Sequence, residues 1–219
     1  MLEDLLPELA KAAATGALAG GASVFVQWAI NRARRLRAGD LGDRATRLER
    51  RLAAILVADV VGYSRLMSSD EEGTHRRLVA CRREIVEPQI RKHRGRIVKN
   101  TGDGALVEFG SIVDAVRCAV EVQQRMLARN AEVPQGRRIE WRMGVNLGDV
   151  IIAPDDIYGH GVNVAARLES LAAPGGVCIS AEAWRQVRGS VAAEFIDLGE
   201  QRLKNITEPA HVFAVSPAA

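Results

Sequence analysis

A continuous apolar run from Leu52 to Val57 ends abruptly in the carboxylate of Asp59, with Gly62 close behind. A run of this length bounded by glycine predicts a buried strand over 52–58. Asp59 then sits where the strand leaves the core, held by a rigid element and open to solvent on one side. An aspartate that caps the following helix gives the same local pattern. Further along, RIVKN and ALVEF alternate apolar and polar positions around TGDG. That is the pattern of a hairpin over 96–109 whose glycines supply the positive φ angles of a tight turn, with Asp103 at its tip. The remaining periodicity predicts a helix over about 70–93 interrupted near Pro88, a helix over 112–130, a strand pair over 139–153, a helix over 160–172 and a smaller β-rich tail. Strands joined by helices on one side of a largely antiparallel sheet give an α+β layer fold.

Composition narrows the chemistry. The 219 residues carry a net charge of +3 and three cysteines, enough for one domain of about 165 residues plus an N-terminal appendage. Cys81, Cys118 and Cys178 stand singly on core-like patterns, which argues against a zinc site or disulfide framework and for a reducing, cytoplasmic setting. The positive charge comes from NRARRLR, RLERR and CRREI, without interleaved aromatics, so these stretches read as solvated faces and not as a nucleic-acid surface. No GxxxxGK[ST] loop occurs, and GHGVNV lacks the context of a dinucleotide fingerprint. His75, His93 and His211 show no metal-ligand spacing.

Taken singly, a turn aspartate such as Asp103 has ordinary local reasons to exist. Paired with Asp59 it takes on another meaning. Two carboxylates on adjacent rigid elements suit hard divalent cations, which take oxygen ligands and let phosphate oxygens complete the shell. Such a pair is the arrangement of a two-metal phosphoryl-transfer site.

LVADVVGYSRL, KNTGDGALVEF, WRMGVNLGDVI and DIYGHGVNVAARLESLAAPGGVCIS, in this order and spacing, resemble the catalytic domain of the class III adenylate/guanylate cyclases over roughly residues 50–215. The resemblance implies a ferredoxin-like βαββαβ palm with a small β-rich C-terminal extension. It implies that Asp59, Asp103 and the carbonyl of Val60 hold two magnesium or manganese ions. It places Arg167 on the α-phosphate, Asn163 on the ribose, and Arg142 and Lys204 on the β- and γ-phosphates. Lys99 and Asp156 fall where the family distinguishes adenine from guanine, and this pair complements adenine. The implied activity is therefore conversion of ATP to 3′,5′-cyclic AMP, with a GTP cyclase or a catalytically silent nucleotide-binding module as alternatives. The hairpin reads TGDGA and not a GGDEF-like turn, which separates the chain from the diguanylate cyclases. His160 and Asn146 depart from the commonest family pattern, at positions not expected to do chemistry. In the family the two aspartates come from one protomer and Lys99, Asp156, Asn163 and Arg167 from the other, so a homodimer with sites at its interface is implied.

The sequence divides into an N-terminal apolar and basic segment over 1–37, a connector over 38–50 and the catalytic domain over 51–215. The run from Ala12 to Ile30 has the length of a bilayer span, and Gly16 and Gly20 make a small-xxx-small pair. The basic cluster from Arg32 to Arg37 after it would leave the catalytic domain in the cytoplasm. Its alanine and glycine content and Gln27 fit an interfacial or dimer-forming helix equally well.

Overall fold

The computed structural model describes residues 49–217. The expectations for residues 1–37, including the membrane association of 12–30, and for the connector as far as residue 48 lie outside them. Among the described residues no helix is long and apolar enough to cross a membrane.

The chain begins with β1 (Arg50–Val60), then α1 (Tyr63–Ser69), α2 (Glu71–Cys81), a π-helical turn (Arg82–Val86) and α3 (Glu87–Lys92). The hairpin β2 (Arg96–Asn100) and β3 (Ala105–Phe109) leads into α4 (Ile112–Asn130). There follow β4 (Trp141–Ala153), β5 (Asp156–Tyr158), α5 (His160–Leu171), β6 (Val177–Ser180), α6 (Ala181–Val187), β7 (Ala193–Gln201) and β8 (Ala210–Pro217). The break expected near Pro88 is real and has a local cause. Proline offers no N–H and its ring crowds the carbonyl four residues back. The turn before it widens until the Glu87 N–H bonds the Arg82 carbonyl. The helix over 112–130 matches its prediction: Ser111 caps it by accepting from the Asp114 N–H at 3.4 Å, and Ile112, Ala115, Val116, Ala119, Val122 and Met126 form its buried stripe.

One eight-stranded sheet runs in the order β2-β3-β1-β4-β6-β8-β7, with β5 paired to β4. The first four strands are antiparallel neighbours with β1 between β3 and β4, the order of a βαββαβ palm. β6 joins parallel to β4, and β8 and β7 extend the sheet as the small C-terminal addition. The strand pair expected over 139–153 is instead a single strand of 13 residues. Its second half pairs at once with β1 and, through 151–153, with β5.

Alternation along β1 sorts the two faces. Ala54, Leu56, Ala58 and Val60 enter the larger core with residues of α2, α4 and α6, among them the fully buried Trp141 at the start of β4. Ala53 and Ile55 point the other way, with Leu106, Val150, Ile157 and Ala165 of α5. Helices on one side of the sheet alone is therefore corrected: α5 crosses the opposite face. Glycine makes this approach sterically available. A Cβ on Gly144 would lie 2.2 Å from both the Ala165 carbonyl oxygen and the Glu169 nitrogen, and one on Gly148 would lie 3.2 Å from the Gly161 Cα. Asn146, buried between these glycines, donates from Nδ2 to the Gly161 carbonyl at 3.0 Å and ties the start of α5 to β4.

Candidate active site

Asp59 is the penultimate residue of β1, and strand parity puts its side chain on the α5 face. Its cross-strand partner is Arg142. The Arg142 Nη2 donates to Asp59 Oδ2 at 3.3 Å, and Arg142 Nε lies 3.1 Å from Oε1 of Glu169, a buried carboxylate on α5. Asp103 occupies the turn closed by the Thr101 N–H donating to the Gly104 carbonyl at 2.9 Å, with Gly102 at φ 81°. The pairing of Ala58 with Ala105 sets this turn beside the end of β1. Gly104 lets it come close: a Cβ there would stand 2.7 Å from the Ala58 carbonyl and 3.3 Å from Asp59 Oδ1.

Charge follows from this crowding. Burial, and next the Asp103 charge, push the Asp59 carboxyl above its ordinary pKa, with Arg142 holding it partly back. Burial raises Glu169 too, and the Asp59 and Asp103 charges add to it while Arg142 opposes. Asp59 and Glu169 thus share Arg142, and the charge of Asp103 adds to theirs, a crowding of negative charge that a divalent cation would relieve. Among the described residues no three His, Cys, Asp or Glu side chains are grouped as a metal cage. Two carboxylates at a partly open strand end and hairpin tip nevertheless fit a magnesium-type ion that keeps water or phosphate oxygens as its other ligands. Val60, expected to contribute its carbonyl, directly follows Asp59, with its side chain buried in the core.

Lys99 and Asp156 form a second group. The Lys99 Nζ meets Asp156 Oδ2 at 2.6 Å and stands 5.9 Å from the ring centre of Tyr158. Asp156 is fixed in turn by accepting on Oδ1 from the Ile157 N–H at 2.9 Å. Plain alternation would turn Lys99 to the same face as Ile97. The register slips between Ile97, which pairs with Val107, and Lys99, which pairs with Leu106. This bulge carries the lysine onto the α5 face, where β5 lies.

Asn163 and Arg167 make a third group, one turn apart on α5. Asn163 is exposed; Arg167 is half-buried and donates from Nε to the carbonyl of the exposed Lys204 at 2.9 Å. Among the described residues no hydrogen bond or ion pair links the aspartate group to the other two. Arg142 therefore sits with the aspartates, whereas Lys204 sits with Arg167. Glu169 escaped the sequence reading. Its one signal is a charged residue four places after Ala165, on the buried stripe of an amphipathic helix.

Residues 49–215 match the sequence model of the family described as the adenylate and guanylate cyclase catalytic domain. A Rhizobium meliloti protein whose name places it provisionally among the adenylate cyclases is 52% identical over 170 residues, 78% of this chain and 29% of that protein. The first three curated relatives are covered over only 19% to 39% of their own lengths. A crystal structure of an adenylate/guanylate cyclase/hydrolase from Silicibacter pomeroyi aligns with a TM-score of 0.73 at 46% identity, over 77% of this chain and 98% of that one. The guanylyl cyclase Cya2 aligns at 0.68 with 24% identity, over 78% of this chain and 95% of that one, a likeness of fold.

Proposed function

The chain belongs to the adenylate and guanylate cyclase catalytic-domain family, and from that premise we propose that it cyclises ATP to 3′,5′-cyclic AMP and pyrophosphate in a homodimer. The observation that carries the choice of base is the 2.6 Å pair of Lys99 and Asp156. Adenine presents an acceptor at N1 and a donor at its 6-amino group, which an ammonium and a carboxylate complement. Guanine reverses that pattern and would set a donor against the ammonium and an acceptor against the carboxylate, a strong penalty.

In the reaction the ribose 3′-oxygen attacks the α-phosphorus in line, the bond from that phosphorus to the pyrophosphate oxygen breaks, and pyrophosphate leaves. Asp59, Asp103 and the Val60 carbonyl would hold two divalent ions. Bound there, the ions lower the pKa of the 3′-hydroxyl and neutralise triphosphate charge. Arg142, already placed between Asp59 and Glu169, is at hand for the β- and γ-phosphates, with Lys204 as a second cation. Arg167 offers a planar, permanently charged fork to the α-phosphate as charge builds. Asn163 orients the ribose. The family pattern supports an isologous dimer in which each site combines the aspartates of one copy with the Lys99 and Arg167 groups of the other. Use of ATP and the three buried cysteines with free thiols fit a cytoplasmic setting.

Product analysis tests this reading. Purified protein is incubated with ATP or GTP and magnesium or manganese, with Asp103→Ala as the blank. Cyclic AMP from ATP alone, lost in the variant, is expected. Cyclic GMP as the main product would overturn the base assignment, and no product with either metal would overturn the proposed activity of the chain by itself.

A further inference from the structure

We infer that Arg82 is a positioning residue for Asp103, clamping the hairpin backbone on both sides of that aspartate. The inference rests on the reading of Asp59 and Asp103 as metal ligands. Arg82 opens the π-helical turn before Pro88, a kind of irregularity that recurs at functional sites. From there it spans to the hairpin tip. Its Nη2 donates to the Gly102 carbonyl at 2.6 Å and to the Gly104 carbonyl at 3.1 Å. The guanidinium carbon stands 5.9 Å from the ring centre of the buried Trp141, whose strand neighbour Arg142 holds Asp59.

The tip needs such a clamp. Gly102 and Gly104 flank Asp103, and glycines leave the backbone many alternatives. Asp103 and Asp59 carry like charges where the turn meets the end of β1, and their repulsion pushes the tip away from that strand. A doubly anchored arginine resists both effects. Neighbouring Arg83 has no such role: its side chain is 79% exposed and its ion-pair partner is Glu84, at 3.8 Å.

Manganese binding, read by electron paramagnetic resonance in the presence of an ATP analogue lacking the 3′-hydroxyl, tests this without turnover. The 219-residue chain is compared with Arg82→Ala, Arg82→Lys, Arg83→Ala and Asp103→Ala, and each melting temperature is recorded. Arg82→Ala is expected to weaken manganese binding about 10- to 100-fold, as loss of a residue supporting a metal ligand does. Millimolar guanidinium should restore part of that binding, and Arg83→Ala should match the wild type. Arg82→Lys, which keeps the charge on a shorter side chain, should fall between; should Arg82→Ala not fold, this variant carries the comparison. Wild-type affinity in the soluble Arg82 variants would overturn the inference and leave the metal reading standing. Asp103→Ala binding manganese as the wild type does, or no binding by the wild type, would overturn both.

Discussion

The Lys99 ammonium and the Asp156 carboxylate, 57 residues apart in the chain, meet at 2.6 Å. One comes from the edge strand β2 and the other from β5, which folds over the sheet from the end of β4. If this pair reads the base, Lys99→Glu combined with Asp156→Ser should shift kcat/KM from ATP towards GTP. A fall of about 100-fold or more for ATP is expected, because each side chain then faces a group it cannot pair. Measuring cyclic AMP and cyclic GMP in competition checks it; an unchanged ATP preference would show that the base is read elsewhere.

Asp103→Asn should abolish cyclisation and yet stabilise the metal-free protein. The Asp59 pKa is raised above its ordinary 3.8, by burial and then by the Asp103 charge. A carboxyl with a raised folded pKa holds its proton more tightly folded than unfolded. Stability therefore falls as pH climbs from 3.8 through the raised value and stays low above it. Removing the Asp103 charge relieves part of that loss, so the variant should melt a few degrees higher at pH 8 without metal. The gap should close as Asp59 becomes protonated. Manganese with nucleotide should raise the wild-type melting point alone.

Glu169→Gln leaves Arg142 with Asp59 as its one remaining anionic partner. The arginine then competes more strongly with cations for that carboxylate. The metal concentration for half-maximal rate should rise several-fold, whereas metal-free stability should hold or rise slightly above neutral pH, because burial disfavours the Glu169 charge more than Arg142 favours it. Metal titrations of initial rate, paired with denaturant unfolding, separate the two effects.

Gly144→Ala should drive α5 off the sheet. The added methyl would sit 2.2 Å from two backbone atoms of that helix, which no side-chain rotation can relieve. A loss of about 3 kcal/mol is expected, with activity falling as Asn163, Arg167 and Glu169 move together. Gly136→Ala, where a Cβ meets nothing within 4 Å, is the control in urea unfolding.

Mixing Asp103→Ala chains with Arg167→Ala chains should restore activity that neither has alone. One of the two sites in each heterodimer then keeps both intact residues, so up to about a quarter of wild-type activity is expected at equal mixing. No recovery across mixing ratios would place both residues in the same protomer's site.

Local rules made much of this protein legible in its sequence. The 3.6-residue stripe of α4, the glycine turn around Asp103, the apolar run of β1 and the break near Pro88 each depend on residues within a turn of one another. The order of four motifs was enough to give the family resemblance and the site positions it implies. Tertiary structure decided what those local signals leave open. Which face α5 covers is set by glycines on a strand distant in sequence. Lys99 reaches Asp156 because a bulge in β2 reverses its face. Arg142 finds Asp59 across 83 residues through strand register, and Glu169 joins them only because α5 crosses β4 there. Periodicity tells which positions are buried; which partner waits at a buried or half-buried charge is fixed by how the strands align and how closely a helix can approach them.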